Sequence, residues 1–130
     1  MFLDTSGLFN VCSPRELFNR LAIKLYDSAG YRITHGYVLS EFVALATARG
    51  FDRYKTLEFV DDIVYDLDVE IVWVDKDLHQ RGMALLQSRL DKNYSLCDAI
   101  SFVLMREKRI EDALTTDRHF EQEGFRRLLD

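Results

Sequence analysis

The sequence contains few of the residues that mark several common protein classes. Among its 130 residues there are only two cysteines, one proline and six glycines. Cys12 and Cys97 form no Cys-x-x-Cys pair, so a disulfide framework is not indicated. The scarcity of proline and glycine, with no internal repeat and no low-complexity tract, leaves no candidate linker. We therefore expect one domain that spans residues 1–130.

Long apolar runs are also missing. No uninterrupted hydrophobic stretch approaches the roughly 20 residues that a membrane-spanning helix requires. The first residues, Met1 to Leu3, lead directly into Asp4 without the basic and apolar regions of a signal peptide. We therefore expect a cytoplasmic protein with no membrane partner.

The charge balance leaves the class of partner open. The formal net charge is -5 and the pI is about 5.2, which argues against strong non-specific binding of nucleic acid. A nucleic-acid substrate remains compatible with this charge, because bound Mg²⁺ inverts the local electrostatic field. Small basic clusters, such as Arg49, Arg53 and Lys55, are typical of a solvated mixed-charge surface as well as of a nucleic-acid contact.

Short hydrophobic stretches alternate with helical patterns along the chain. The strongest stretch, Val69 to Val74, is almost continuously apolar, which is typical of a parallel strand covered on both faces. The alternation predicts an α/β fold with a central, mainly parallel sheet flanked by helices. Other strands are predicted at residues 2–3, 31–34, 113–115 and 125–128.

Capping residues mark several predicted helix starts. Ser13-Pro14-Arg15-Glu16 combines a capping serine, a proline suited to the first helical position and a capping-box glutamate. Leu17, Leu21 and Leu25 follow at four-residue intervals, which predicts a helix from Ser13 that ends at Gly30. Further helices are predicted from about Tyr37 to Ala48 and after Asp52, Asp75 and Ser95.

Four acidic residues stand beside these apolar stretches, far apart in the sequence. Asp4 and Asp117 directly follow predicted strands, whereas Glu41 and Asp98 lie near the starts of predicted helices. Ligands of parallel α/β sheets bind outside the carboxyl ends of the strands, so one pocket would hold all four. Carboxylates gathered in this way repel one another, and a divalent cation relieves the repulsion. The pattern therefore indicates metal-dependent chemistry.

Each acid also has a purely structural interpretation. Ser95-x-x-Asp98 is itself a capping-box pattern, and Asp117 is placed to cap a short helix. Asp4 is placed to accept backbone hydrogen bonds in a strand-to-helix turn, and Glu41 to reach water from the flank of its helix. Capping and metal binding do not compete at Asp98, since one carboxylate can do both.

Other catalytic patterns are weaker or absent. The sequence contains no Gly-x-Gly-x-x-Gly motif, P-loop or Gly-x-Ser-x-Gly elbow. His35, His79 and His119 show no metal-ligand spacing, so structural or surface roles are expected for them. A haloacid-dehalogenase-like phosphatase would need a second aspartate where Ser6 stands, and a receiver domain would need a lysine–proline pair late in the chain.

The four acids and their neighbours resemble a known family. Asp4-Thr5-Ser6, Ser40-Glu41-Phe42, Ser95-Leu96-Cys97-Asp98-Ala99 and Thr115-Thr116-Asp117-Arg118-His119-Phe120 occur in the order found in PIN-domain ribonucleases. More closely, the chain resembles the VapC-type toxins of toxin–antitoxin modules, and the resemblance covers nearly its whole length. It implies a PIN-like three-layer domain, in which helices flank a central, mainly parallel sheet of about five strands.

The resemblance also implies a site and its partners. The catalytic acids of the family correspond to Asp4, Glu41, Asp98 and Asp117. Asp4 and Asp98 are expected to bind the metal, Mg²⁺ or Mn²⁺, with Glu41 and Asp117 binding it directly or through water. The supporting hydroxyl residues correspond to Ser6 and Thr116, which are expected to orient the carboxylates.

The expected activity is that of an endoribonuclease that hydrolyses RNA phosphodiesters. A cognate antitoxin protein and a homodimeric state are expected with it. Two alternatives stay open from the sequence. One is a housekeeping PIN-type RNA-processing nuclease without an antitoxin, and the other is a PIN domain that binds RNA or protein without cleavage.

Overall fold

The computed structural model describes all residues from Met1 to Asp130. Five strands are separated along the chain by one or two helices each, seven helices in all. In chain order they are β1 (Phe2–Leu3), α1 (Thr5–Cys12), α2 (Asn19–Ser28), β2 (Arg32–His35), α3 (Gly36–Ala48), α4 (Arg53–Tyr65), β3 (Val69–Val72), α5 (Lys76–Gln87), α6 (Leu96–Lys108), β4 (Asp112–Leu114), α7 (His119–Gln122) and β5 (Arg126–Arg127).

The strands form one parallel sheet in the order β3-β2-β1-β4-β5. The first strand lies at the centre, where Phe2 pairs with Ile33 of β2 and Leu3 pairs with Leu114 of β4. This architecture confirms the predicted α/β fold with a parallel sheet between helices. None of the helices combines the length and hydrophobicity that a bilayer span requires.

The strand order places a crevice between β1 and β4. The chain runs from β1 outward to β2 and β3, then returns past β1 to add β4 and β5 on the other side. Because crossovers between parallel strands are right-handed, α1 to α4 cover one face of the sheet and α5 to α7 cover the other. The chain segments that leave β1 and β4 therefore turn to opposite faces, which opens a crevice at their carboxyl ends.

The core lies around β1. Phe2 and Leu3 have no exposed surface, and neither have the side chains of Ile33, Leu114 and Phe120. Phe120 packs against Phe2 with ring centroids 6.1 Å apart. This packing anchors the segment after β4 against the central strand and so fixes where Asp117 lies.

Three of the predicted helix caps are confirmed. Asp52 accepts a hydrogen bond from the backbone N–H of Lys55, and Asp75 accepts one from that of Leu78. Ser95 and Asp98 form both halves of the capping box at the start of α6. The helix that carries Asp98 therefore begins where the sequence predicts.

The predicted helix start at Ser13 is wrong. Ser13 instead ends α1, because its backbone N–H donates to the carbonyl of Phe9, and α2 begins only at Asn19. The side chain of Asn10 accepts from the N–H of Phe18, and that of Asn19 donates to the carbonyl of Asn10. These contacts between α1 and α2 hold residues 13–18 in turns and override the local capping pattern.

The third strand is shorter and more exposed than its composition suggests. It ends at Val72, and only Val69 is buried in it, while the following Trp73 is 62% exposed. Because β3 is an edge strand, it lacks the neighbour on one side that the expectation of full burial assumed.

Candidate active site

All four predicted acids line one cavity of about 380 Å³ at the crevice between β1 and β4. Each comes from a different part of the fold. Asp4 follows β1 and precedes α1, Glu41 lies on α3, Asp98 lies in the first turn of α6, and Asp117 follows β4. Residues separated by more than a hundred positions in the sequence therefore share one pocket.

Asp4 is the most enclosed of the four carboxylates. The residue is only 5% exposed, and its Oδ2 atom accepts a 2.7 Å hydrogen bond from the hydroxyl of Thr115. Burial raises the pKa of Asp4 to about 7, although the hydrogen bond from Thr115 lowers it, and the nearby charges of Asp98 and Asp117 raise it further. A carboxylate in this state gains from a cation placed beside it.

A compact network of hydroxyls ties the end of β4 to the start of α1. The Ser6 hydroxyl lies 3.2 Å from Oδ2 of Asp4 and 3.0 Å from the Thr115 hydroxyl. The backbone N–H of Thr116 donates to the Ser6 hydroxyl, and that of Asp117 donates to the Thr115 hydroxyl. The network orients two of the four acids with protein groups alone.

Thr115 is the residue of this network that the sequence analysis did not single out. Thr116 lines the cavity, but the hydroxyl that donates a hydrogen bond to Asp4 belongs to Thr115. The sequence signal was a pair of hydroxyl residues between a buried strand and an acid, and it fits Thr115 and Thr116 equally. Two adjacent threonines made the choice between them ambiguous from the sequence.

Asp98, Asp117 and His119 lie close enough together to bind the same metal ion. The Nδ1 atom of His119 lies 3.2 Å from Oδ2 of Asp98 and 3.4 Å from Oδ1 of Asp117. Possible metal-binding atoms of these three residues all lie within 4.8 Å of one another. The pKa of Asp98 is raised, mainly by burial and also by the charge of Asp117, while its hydrogen bond from the Ser95 backbone lowers it.

The other two histidines lie away from the acids. The buried His35 bonds to Ser101 at 2.9 Å, and His79 bonds to the hydroxyl of Tyr37 at 2.7 Å. Both therefore have structural partners. His119 is the histidine that the fold brings to the acids, which spacing in the sequence did not reveal.

Glu41 is the fourth predicted acid at the cavity, and it reaches the cavity from α3. It is half-buried on α3, and its carboxylate has no hydrogen-bond or ion-pair partner in the protein. It is thus free to bind a group inside the cavity. Beyond it, the cavity is lined by the apolar side chains of Phe9, Leu17, Phe18 and Leu45.

The donor set fits a hard divalent cation. The four predicted carboxylates converge on one cavity, which is also lined by the acid Glu16 and by one cationic side chain, that of Arg49. Mg²⁺ takes oxygen ligands and keeps several waters, so one or two of the carboxylates satisfy its protein ligation. The raised pKa values of Asp4 and Asp98 have the same origin, since burial and mutual repulsion penalise the charged forms. A cation offsets both penalties.

Comparisons with known proteins agree with this geometry. The family model described as "PIN domain" matches residues 1–125. The chain is also similar to the crystal structure of VapC20 from Mycobacterium tuberculosis, a sarcin–ricin loop cleaving toxin. That similarity has 26% sequence identity and a TM-score of 0.87, and covers 96% of this chain and 95% of that chain.

No curated protein sequence matches this chain significantly. The family match nevertheless extends over all four acids, from the strand before Asp4 to the residues after Asp117. The structure leads to the same conclusion as the match, because four carboxylates converge on a cavity between β1 and β4 of a parallel sheet. The chain belongs to the PIN domain family.

Proposed function

We propose that this protein is a metal-dependent endoribonuclease that hydrolyses RNA phosphodiesters, and that it is the toxin of a toxin–antitoxin pair. The convergence of Asp4, Glu41, Asp98 and Asp117 on one cavity carries the proposal. The similarity to a VapC toxin over nearly the whole of both chains supports the choice of substrate and of biological role.

The acids have distinct proposed roles at a Mg²⁺ or Mn²⁺ site. Asp4 and Asp98 bind the metal, and Glu41 and Asp117 bind it directly or through water. The metal, when bound, polarises the substrate phosphate and lowers the pKa of a water for in-line attack. Oxygen ligands make Mg²⁺ the first choice, and Mn²⁺ accepts the same ligands.

The surrounding residues hold the acids in position. Thr115 and Ser6 fix the orientation of Asp4 through its Oδ2 atom, as residues around a metal ligand commonly do. Thr116, proposed from the sequence as a supporting residue, acts in this structure through its backbone N–H on Ser6. The Nδ1 atom of His119 lies against both Asp98 and Asp117, and its hydrogen bond to Asp98 lowers the pKa of that carboxyl.

The proposed partners follow from the similarity to a VapC toxin. A cognate antitoxin protein would silence the nuclease, and a homodimer is the proposed oligomeric state of this one-domain chain. Large apolar side chains are exposed around the start of α2, where Leu17 is 87%, Leu21 is 39% and Ile23 is 40% exposed. Such exposed apolar surface is typical of a protein contact. A cytoplasmic location is part of this proposal.

Cleavage of a panel of structured RNAs by the purified protein tests the function. The reactions contain Mg²⁺, Mn²⁺ or EDTA, and the Asp4→Asn variant serves as the inactive control. We expect cleavage that requires a metal and is lost in the variant. A folded wild-type protein that cuts no RNA with either metal would refute the nuclease. Equal cleavage by the variant would refute the site.

A further inference from the structure

The cavity that holds the acids contains one cationic side chain. Arg49 follows the end of α3, and it lines the cavity together with five carboxylates. The substrate of a ribonuclease is a polyanion, so a cavity with this charge balance needs cationic contacts for phosphates that the metal does not reach. The carboxylates are those of Asp4, Glu16, Glu41, Asp98 and Asp117.

The position of Arg49 follows from the helix. Glu41, Leu45 and Arg49 succeed one another at four-residue intervals, so they form one stripe that faces the cavity. Eight residues separate Glu41 from Arg49, which corresponds to about 12 Å along a helix axis. Arg49 therefore lies beyond the phosphate that the acids would act on, beside a neighbouring phosphate of the RNA strand.

The guanidinium of Arg49 is held in place before any substrate binds. Its central carbon lies 4.6 Å from the ring centroid of Phe9 and 5.0 Å from that of Phe51. It also forms an ion pair with Glu16, in the turn segment between α1 and α2. An arginine fixed by stacking loses little side-chain freedom when it binds, and its planar fork matches a phosphate.

The ion pair with Glu16 is exchangeable. The Arg49 side chain is 47% exposed and that of Glu16 is 22% exposed, and ion pairs in such positions contribute little net stability. A phosphate offers a bidentate, charge-assisted contact in its place. Glu16 therefore acts as a substitute anion that keeps the guanidinium at the cavity until a phosphate displaces it.

We infer that Arg49 binds an RNA phosphate that flanks the scissile one, and that Glu16 occupies its guanidinium in the free protein. This inference rests on the proposed ribonuclease function, because it assigns a substrate contact to the same cavity. Arg49 is a binding and positioning residue, since it lies away from the acids that surround the reacting phosphate.

Salt-dependent RNA binding tests the inference separately from cleavage. The affinity of a fluorescently labelled single-stranded RNA of mixed sequence is measured by anisotropy at several salt concentrations, with Mg²⁺ present. The Asp4→Asn background prevents the RNA from being consumed. Arg49→Ala and Arg49→Lys are compared with Arg81→Ala, whose side chain is similarly exposed and paired with acids but lies outside the cavity.

Each variant has a defined expected result. Arg49→Ala should weaken binding roughly 10-fold, as expected for a lost charge-assisted contact. It should also make the slope of log affinity against log salt shallower by about 0.7, the value for one phosphate contact to a single strand. Arg49→Lys should keep the slope and lose part of the affinity, and Arg81→Ala should change neither.

The outcomes separate this inference from the proposed function. An unchanged salt slope in Arg49→Ala overturns the inference, even if the affinity falls. Affinity can fall through damage to the structure, but only the loss of a phosphate contact makes the slope shallower. Glu16→Gln should tighten binding severalfold, and an equal gain in the Arg49→Ala background would overturn the role of Glu16. Failure of the wild-type protein to cut RNA refutes the nuclease, and the salt slopes then still decide whether Arg49 contacts RNA.

Discussion

The hydroxyl of Thr115 donates a 2.7 Å hydrogen bond to Oδ2 of Asp4, although the two residues are 111 positions apart. The bond spans the adjacent ends of β1 and β4, whose pairing brings Leu3 beside Leu114. Gly7 is necessary for the same approach, because a Cβ atom there would lie 1.9 Å from the carbonyl oxygen of Leu114. The first acid is therefore oriented by the strand at the other end of the chain.

Replacement of Thr115 by valine should impair cleavage more than the same replacement of Thr116. Thr115→Val keeps the shape of a fully buried side chain but removes the hydrogen bond to Asp4 and leaves the N–H of Asp117 without its partner. Loss of such supporting bonds typically costs about 10- to 100-fold in activity or metal affinity. Rates of RNA cleavage at saturating metal, measured for both variants, make the comparison.

Thr116→Val is the matched control, since its backbone N–H to Ser6 survives the substitution. A larger loss of activity in Thr116→Val than in Thr115→Val would contradict the assignment. It would show that the Thr116 hydroxyl, as the sequence first indicated, is the supporting group.

Asp4→Asn should abolish cleavage and leave the fold intact. Asparagine has nearly the same shape and still accepts the hydrogen bond from Thr115, but it brings no negative charge to the metal. We expect at least about a 100-fold loss in rate, the scale on which single electrostatic contacts to a transition state act. Circular dichroism establishes that the variant is folded, and single-turnover cleavage gives the rate.

Asp61→Asn provides the control for this change. Asp61 is an exposed acid on α4, outside the cavity, so its neutralisation alters the net charge by the same amount without touching the site. Near-normal cleavage by a folded Asp4→Asn protein would remove Asp4 from the catalytic set.

The sequence predicted the parts of the fold that local chemistry determines. The capping box of Ser95 and Asp98 needs only residues three positions apart, and both of its hydrogen bonds are present. Asp52 and Asp75 likewise cap the helices that they precede. The four acids were found because each stands at the end of a strand or near the start of a helix, where a parallel sheet exposes its ligands.

The parts that could not be predicted depend on contacts between distant segments. The helix α1 was missed because its sequence contains Thr5, Ser6 and Gly7, all weak helix formers, and its position is set by packing against β4. The Ser13 pattern was misread because the side chains of Asn10 and Asn19 take the hydrogen bonds that decide where α2 begins. No local pattern distinguishes Thr115 from Thr116.

Without metal, the stability of the protein should depend on pH through Asp4. Its pKa is about 7 in the folded state, against 3.8 as the ordinary value, so the unfolded chain releases its proton first as the pH rises. Stability from this group is therefore lost between about pH 4 and pH 7. The full shift corresponds to about 4 kcal/mol, at about 1.4 kcal/mol for each pKa unit.

His35 acts in the opposite direction over nearly the same range. Burial lowers its pKa to about 3 from the ordinary 6.5, so stability is lost as the pH falls and the unfolded chain takes up a proton. The two effects oppose each other in the wild-type protein. Urea unfolding in EDTA should show that the stability of Asp4→Asn rises more steeply than that of wild type from about pH 4 to pH 7. If the unfolding free energies of the two proteins changed with pH in the same way, the raised pKa of Asp4 would be contradicted.

Addition of Mg²⁺ or Mn²⁺ should stabilise the folded protein against heat. The metal binds carboxylates that only the folded chain brings together, so at 100 times its dissociation constant it adds about 2.7 kcal/mol. For a chain of this size, with an unfolding entropy of about 2.1 cal/mol/K per residue, this stabilisation should raise the melting temperature by about 10 °C. EDTA should reverse the rise, and Asp98→Asn should not show it, whereas Asp61→Asn should respond as wild type does. A metal-induced shift of equal size in Asp98→Asn would place the cation elsewhere on the protein. Because the measurement requires no RNA, it tests the metal site whether or not the target has been found.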